Sequence, residues 1–428
     1  MSLPSTLDRT SQETPRERQA LEQLGVTTFS RGVRQVLAGT FIAVIVAIPL
    51  FETVQEVREN LAAREQLRRQ GVSVADMPGR RPRVADVLTY LPVPRPEELR
   101  ALENDLLLNS TAGRFLRPWV QAVLSRTLGV GNPSVVVGRH GWLHYVDGVE
   151  YVTGRGFLEA DHLARAQELG RFSDPRPAIL QLHRELEAMD VALVVLPIPD
   201  KAVIVPGSLA RGLEGTFGLQ NRSWNTFAGE LRRAGVRLLD LTAAMSQAEA
   251  GGSEQFLRTD THWSAAGIDT AAEATVEFIS GTLGVEPGPP RYQRREIRTD
   301  KVTGDLIGLL GLPDTQAKQL PNETVVLHPV IDASGERWQP DPNSDILLIG
   351  DSFSEFRAAD NAGLAEQISY FLQQPLDRRA SFTPRRFDGR EALGTSLAEV
   401  RRSARRYRVI IWEFAIRKLS VGDWPLLP

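Results

Sequence analysis

Asp345-Ile-Leu-Leu-Ile-Gly-Asp-Ser-Phe-Ser354 decides how this chain folds. Ile346 to Ile349 are continuously apolar, the pattern of a strand buried on both faces of a parallel sheet. Gly350 then turns the chain, and a helix is expected to run on toward Phe371. Ser352 therefore sits where a strand hands over to a helix, the place where parallel sheets bind ligands. Main-chain N–H groups of the first helical turn face the same space and can hold an oxyanion. The bland alternative is a helix cap made by Asp351 and Ser352.

The same texture extends outward. Val191–Pro199 and Tyr407–Phe414 are further apolar runs of buried-strand type, and Val236–Leu241 reads as a strand between them in sequence. Helices are expected over Ala178–Asp190, Gly218–Ala234 and Ser264–Ile279. Val135 to Gly148 reads as a hairpin, and Pro287 to Ser344 as irregular and proline-rich. Strands alternating with helices make an α/β domain with a mostly parallel sheet and helices on both faces.

Composition excludes several chemistries. The 428 residues carry 50 Lys and Arg against 53 Asp and Glu, a net charge of −3, so no basic field points to nucleic acid. Cysteine is absent, which removes thiol nucleophiles, zinc–thiolate sites and iron–sulfur clusters. The remaining histidines form no ligand-spaced cluster with His262.

Near the N-terminus, Val36–Phe51 holds no charged residue, Arg31 and Arg34 precede it, and Glu52 and Glu56 follow. Taken from Gly32, it is long enough to span a bilayer, with Arg34 snorkelling to the headgroups. The positive flank puts residues 1–31 in the cytoplasm and the body outside. The expected organisation is a tail (1–31), an anchor (32–51), a helical stalk and linker (52–130) and an α/β domain (131–428).

A second motif precedes the serine turn: Thr259-Asp260-Thr261-His262-Trp263-Ser264. Asp and His two apart in an extended loop point the same way, so Asp260 can orient the imidazole of His262 while that ring takes a proton. The plainer reading has Asp260 and Ser264 capping a helix and His262 packing on Trp263. Together the two motifs supply nucleophile, base and orienting acid, the set required for serine acyl transfer.

Asp260-x-His262-Trp263 upstream of Gly350-x-Ser352-Phe353-Ser354 resembles the alginate O-acetyltransferases of the AlgJ/AlgX type. Softer matches run in the same order: Val137–Leu143, Pro197–Pro206 with Lys201, Thr303–Leu306 and Ile410–Glu413. The resemblance covers Val135 to Leu419. It implies an SGNH-hydrolase-like, flavodoxin-like domain in which Ser352 becomes acetylated, His262 is its base and Asp260 orients His262. It adds Asn361, Asp351 and Lys201 as candidates for oxyanion or substrate contacts. It implies no cofactor, an exopolysaccharide acceptor, and a membrane-bound acyltransferase that passes acetyl into the periplasm. Asp351 stands where the family commonly has Thr, which keeps an acetylesterase in contention beside a non-catalytic polysaccharide-binding protein. Arg378 to Arg408 holds ten arginines against three acids, either a polyanion-facing surface or a solvated helix face in an arginine-rich chain.

Overall fold

The computed structural model describes residues 111–317, 323–380 and 407–426. The expected tail and anchor, most of the stalk and most of the arginine-rich stretch lie outside these residues. Among the described residues no helix is long and apolar enough to cross a membrane. The chain divides into two compact units, Met1–Leu116 and Arg117–Pro428. The second is described here.

Its strands are β1 (Val135–Val137), β2 (Leu143–Tyr145), β3 (Ala192–Ile198), β4 (Arg237–Leu238), β5 (Tyr292–Arg294), β6 (Ile297–Val302), β7 (Glu323–Leu327), β8 (Val330–Asp332), β9 (Ile346–Gly350), β10 (Asp377–Ala380) and β11 (Val409–Ala415). Five of them form one sheet in the order β10-β9-β11-β3-β4, with every neighbouring pair parallel. The central strands β3, β9 and β11 are buried almost throughout, which is why they read as unbroken apolar runs. Each fully buried Val, Leu or Ile there contributes about 1.5–3 kcal/mol. Of three two-stranded antiparallel ribbons, β1–β2 precedes the sheet in sequence, and β5–β8 and β6–β7 fall between its strands β4 and β9.

The helices that matter for the site are α1 (Pro175–Glu187), α2 (Trp224–Arg233), α3 (Ala265–Leu283), α4 (Asp305–Leu310), α5 (Ser352–Glu355) and α6 (Leu364–Leu372). Apolar residues of α1, α2, α3 and α6 join β3, β9 and β11 in one continuous core.

Three expectations change. The region 287–344 is not irregular: it supplies four short strands and α4. The expected long helix after Ser352 is broken into α5 and α6, because Arg357 and Asn361 adopt positive φ of 63° and 64° between them. The strand expected over Val236–Leu241 shortens to two residues, since Asp240 turns back to accept hydrogen bonds from Thr242 N and Trp224 Nε1.

Candidate active site

Two loops meet at the site. The first is the turn between β9 and α5. Gly350 is required there, because a Cβ would run into Ser354 Oγ and Glu413 Oε2. Asp351 caps α5: its Oδ1 accepts from Phe353 N at 3.0 Å. Its Oδ2 accepts from Ala415 N at 2.9 Å and pairs with Lys418 Nζ at 2.8 Å, which ties the turn to the end of β11. Burial alone would raise the Asp351 pKa, but the Lys418 and Arg417 charges more than offset that and hold it below the usual carboxylate range. Ser352, half-buried, opens α5.

The second loop carries Asp260 and His262. It is closed by an isolated bridge between Phe256 and Trp263 and ends where Ser264 Oγ caps α3 by accepting from Gly267 N at 3.1 Å. Glu323 at the start of β7 accepts from Arg258 N and Thr259 N, at 2.6 and 2.7 Å. From the other side Lys201 Nζ donates to Leu143 O at 2.7 Å and Arg258 O at 3.1 Å. The loop is thus held by Glu323 and Lys201, which come from two different parts of the fold.

Within it, His262 Nδ1 lies 2.7 Å from Asp260 Oδ1, which also accepts from His262 N at 3.0 Å. A carboxylate at Nδ1 makes that nitrogen the protonated one and leaves the lone pair on Nε2. Nε2 is buried and has no hydrogen-bond partner. Burial of Asp260 would raise its pKa; the hydrogen bonds from His262 and from Asp305 N reverse this and keep it ionised. The imidazole does not pack on Trp263. It stacks on Phe356, 4.6 Å away and 9° off parallel, and meets the edge of Phe353 at 5.0 Å. Both rings follow Ser352 in sequence, one and four positions on, so the imidazole lies against the turn that Ser352 opens, with no hydrogen bond between Ser352 Oγ and Nε2. Trp263 instead packs edge-on against Phe353 at 5.3 Å.

The chain matches the family model of the SGNH hydrolase-like acetyltransferase domain of AlgX over residues 135–416. It belongs to that family. Among its relatives, the probable alginate O-acetylase AlgJ of Pseudomonas putida is 29% identical over 308 residues, covering 68% of this chain and 72% of that protein. The corresponding protein of Pseudomonas aeruginosa is 30% identical over 242 residues, covering 52% of this chain and 56% of its own length. The solved O-acetyltransferase domain of Pseudomonas putida AlgJ superposes with a TM-score of 0.51 at 23% identity, covering 68% of this chain and 94% of that one, which supports the shared fold.

In this acetyltransferase domain none of the three remaining expected residues bonds the imidazole's open nitrogen. Both oxygens of Asp351 are committed to the cap and to β11, so its carboxylate acts on the turn from behind. Asn361 is not in a helix: it occupies a left-handed turn, and its Nδ2 donates to Val330 O. Lys201 is buried beneath the loop, where desolvation lowers its pKa to about 7.

The structure adds groups that spacing did not single out. Asp305 Oδ1 accepts from Thr261 N at 2.7 Å, and its own N–H donates to Asp260 Oδ2 at 3.1 Å. Glu413 supports the serine turn from β11. Arg417 pairs with Asp200 and lies over the Phe353 ring at 5.6 Å. Thr303–Leu306 and Ile410–Glu413 were legible as matching segments, yet no rule of spacing connects Asp305 or Glu413 to motifs 45 to 62 residues away. Asp260, His262 and Asp305 are also the one trio among the described residues whose ligand atoms crowd together, within 4.8 Å.

Proposed function

We propose that this protein is a membrane-anchored O-acetyltransferase that acetylates hydroxyls of an alginate-like exopolysaccharide in the periplasm. The observation that carries the reading is the unpartnered, buried Nε2 of His262, set beside the Ser352 turn with Asp260 on the opposite nitrogen. Ser352 Oγ attacks the acetyl carbonyl of the donor and its proton passes to His262 Nε2. The tetrahedral oxyanion is held by the Ser352 N–H, because the Asp351 N–H is already bonded to the Glu413 carboxyl and the Phe353 N–H to the Asp351 carboxylate. The leaving group takes the proton from His262 as the acetyl-serine forms. A sugar hydroxyl then gives its proton to Nε2 and attacks the acetyl carbon; the bond to Ser352 Oγ breaks as Nε2 passes that proton to Oγ, which returns free Ser352.

The names of the AlgJ relatives support a uronate polymer as acceptor. The apolar run at 36–51 supports an anchor, and an extracytoplasmic site would need a membrane-bound acyltransferase to deliver acetyl. No cofactor takes part in these steps. The test is to incubate the full chain with an activated acetyl ester and alginate oligosaccharides. Acetylated sugar formed faster than free acetate supports transfer; free acetate alone indicates an esterase, and no turnover indicates a binding protein.

A further inference from the structure

We propose that Asp305 is a second carboxylate of the His262 base: a positioning residue that orients the Asp260–His262 pair and sets a second negative charge beside the imidazole. The inference rests on His262 being the base of the reaction above.

Asp305 opens α4, directly after Gly304. Gly304 passes so close to Thr259 O and Asp260 N that a Cβ there would collide with both. That approach permits a reciprocal clamp. The Asp305 N–H donates to Asp260 Oδ2 at 3.1 Å, which turns Asp260 Oδ1 toward the imidazole. In return Asp305 Oδ1 accepts from Thr261 N at 2.7 Å and from Thr261 Oγ1 at 3.1 Å, fixing the residue between acid and base. The remaining oxygen, Oδ2, lies 3.8 Å from His262 Nδ1. The protonated nitrogen therefore faces two carboxylates, one bonded and one at Coulomb range.

The surrounding charges decide the sign. Glu323 adds negative charge at Thr259. Lys201 beneath the loop opposes it. Arg417 lies over Phe353 and Arg357 over Phe356, so each of these cations stands one ring away from the imidazole. Among the described residues, only Asp260 and Asp305 bring a carboxylate to the ring nitrogen itself. Both favour the imidazolium that forms as Ser352 loses its proton. The Asp305 side chain is 39% exposed, so water screens part of its effect.

Asp305→Asn keeps an oxygen for Thr261 N and removes only the charge. The pKa of each of the six histidines can be read in the full chain from deuterium exchange at imidazole C2, followed by peptide mass spectrometry. The expected result is a downward shift of the His262 exchange profile in the variant, the other five unchanged. The acid limb of Ser352 acetylation should move down in pH by the same amount, and kcat should fall about tenfold with KM little altered. Asp305→Glu, which restores the charge, should recover the limb. If the Asn variant does not fold, Asp305→Ser reads the same shift with a shorter acceptor. An unchanged His262 pKa and acid limb would overturn the proposal. A shifted His262 pKa in a protein whose wild type never acetylates Ser352 would instead sink the catalytic reading and leave the Asp305–His262 coupling standing.

Discussion

Glu413 Oε2 accepts the Ser354 hydroxyl at 2.6 Å, and on the same oxygen it accepts the Asp351 main-chain N–H at 3.0 Å. The central strand β11 thereby grips the serine turn on both sides of Ser352. Burial, and then the negative charge of Asp351, push the Glu413 carboxyl well above its ordinary range, which favours its protonated form. Glu413→Ala leaves a buried hydroxyl and a buried N–H unpaired and should cost about 2–4 kcal/mol in urea unfolding. Glu413→Gln preserves the acceptor oxygen and carries no charge, so it should keep most of the stability. A Gln variant as unstable as the Ala variant would show that the carboxyl is ionised.

Asp351 works in the opposite electrostatic sense. It is ionised and paired with Lys418 at 2.8 Å, so Asp351→Asn leaves the half-buried Lys418 ammonium without its partner. We expect a loss of about 2–4 kcal/mol and at least a tenfold fall in acetylation as the capped turn loosens. Because the folded carboxyl titrates below its unfolded value, its contribution is present above the unfolded pKa and is lost as pH falls toward the folded one. The gap in thermal midpoint between wild type and variant should therefore be wide at pH 7 and narrow in acid.

Glu366 on α6 gives the reverse dependence. Burial raises its pKa to about 7, although Arg378 lies 2.7 Å away and pulls it down. The folded state holds this proton more tightly than the unfolded chain, so its contribution is full at low pH and fades as pH rises toward 7. From pH 5 to pH 8 wild type should lose thermal midpoint relative to Glu366→Gln. Parallel curves would refute the shift.

Phe356 covers one face of the imidazole at 4.6 Å. Phe356→Ala frees the ring to rotate away from Ser352. Steady-state kinetics should show kcat down about tenfold or more, with a smaller change in KM. Unaltered kcat would mean that the Asp260 bond alone orients the base.

The sheet was readable because β3, β9 and β11 are buried on both faces and so carry unbroken apolar runs. The serine turn was readable for the same reason, as the glycine and serine follow the clearest of those runs. The Asp-x-His spacing likewise reports a local hydrogen bond, between residues two apart. What stayed hidden depends on distant pairing. Strands β5 to β8 are short and include charged residues such as Arg294, Asp332 and Glu323, so no period marks them. The break between α5 and α6 lies in backbone angles at Arg357 and Asn361 that ordinary side chains do not announce. Asp305 and Glu413 acquire their roles only when α4 and β11 fold against the two loops.

The central claim is that Ser352 carries the acetyl group. The most direct measurement is intact-mass and peptide mass spectrometry of the full chain after brief exposure to an activated acetyl ester and acid quenching, beside Ser352→Ala and His262→Asn. The account predicts one acetyl group on the peptide holding Ser352 in wild type, none there in the Ala variant, and much slower appearance in the His262 variant. An acetyl group carried elsewhere, or formed at the same rate without His262, would contradict it.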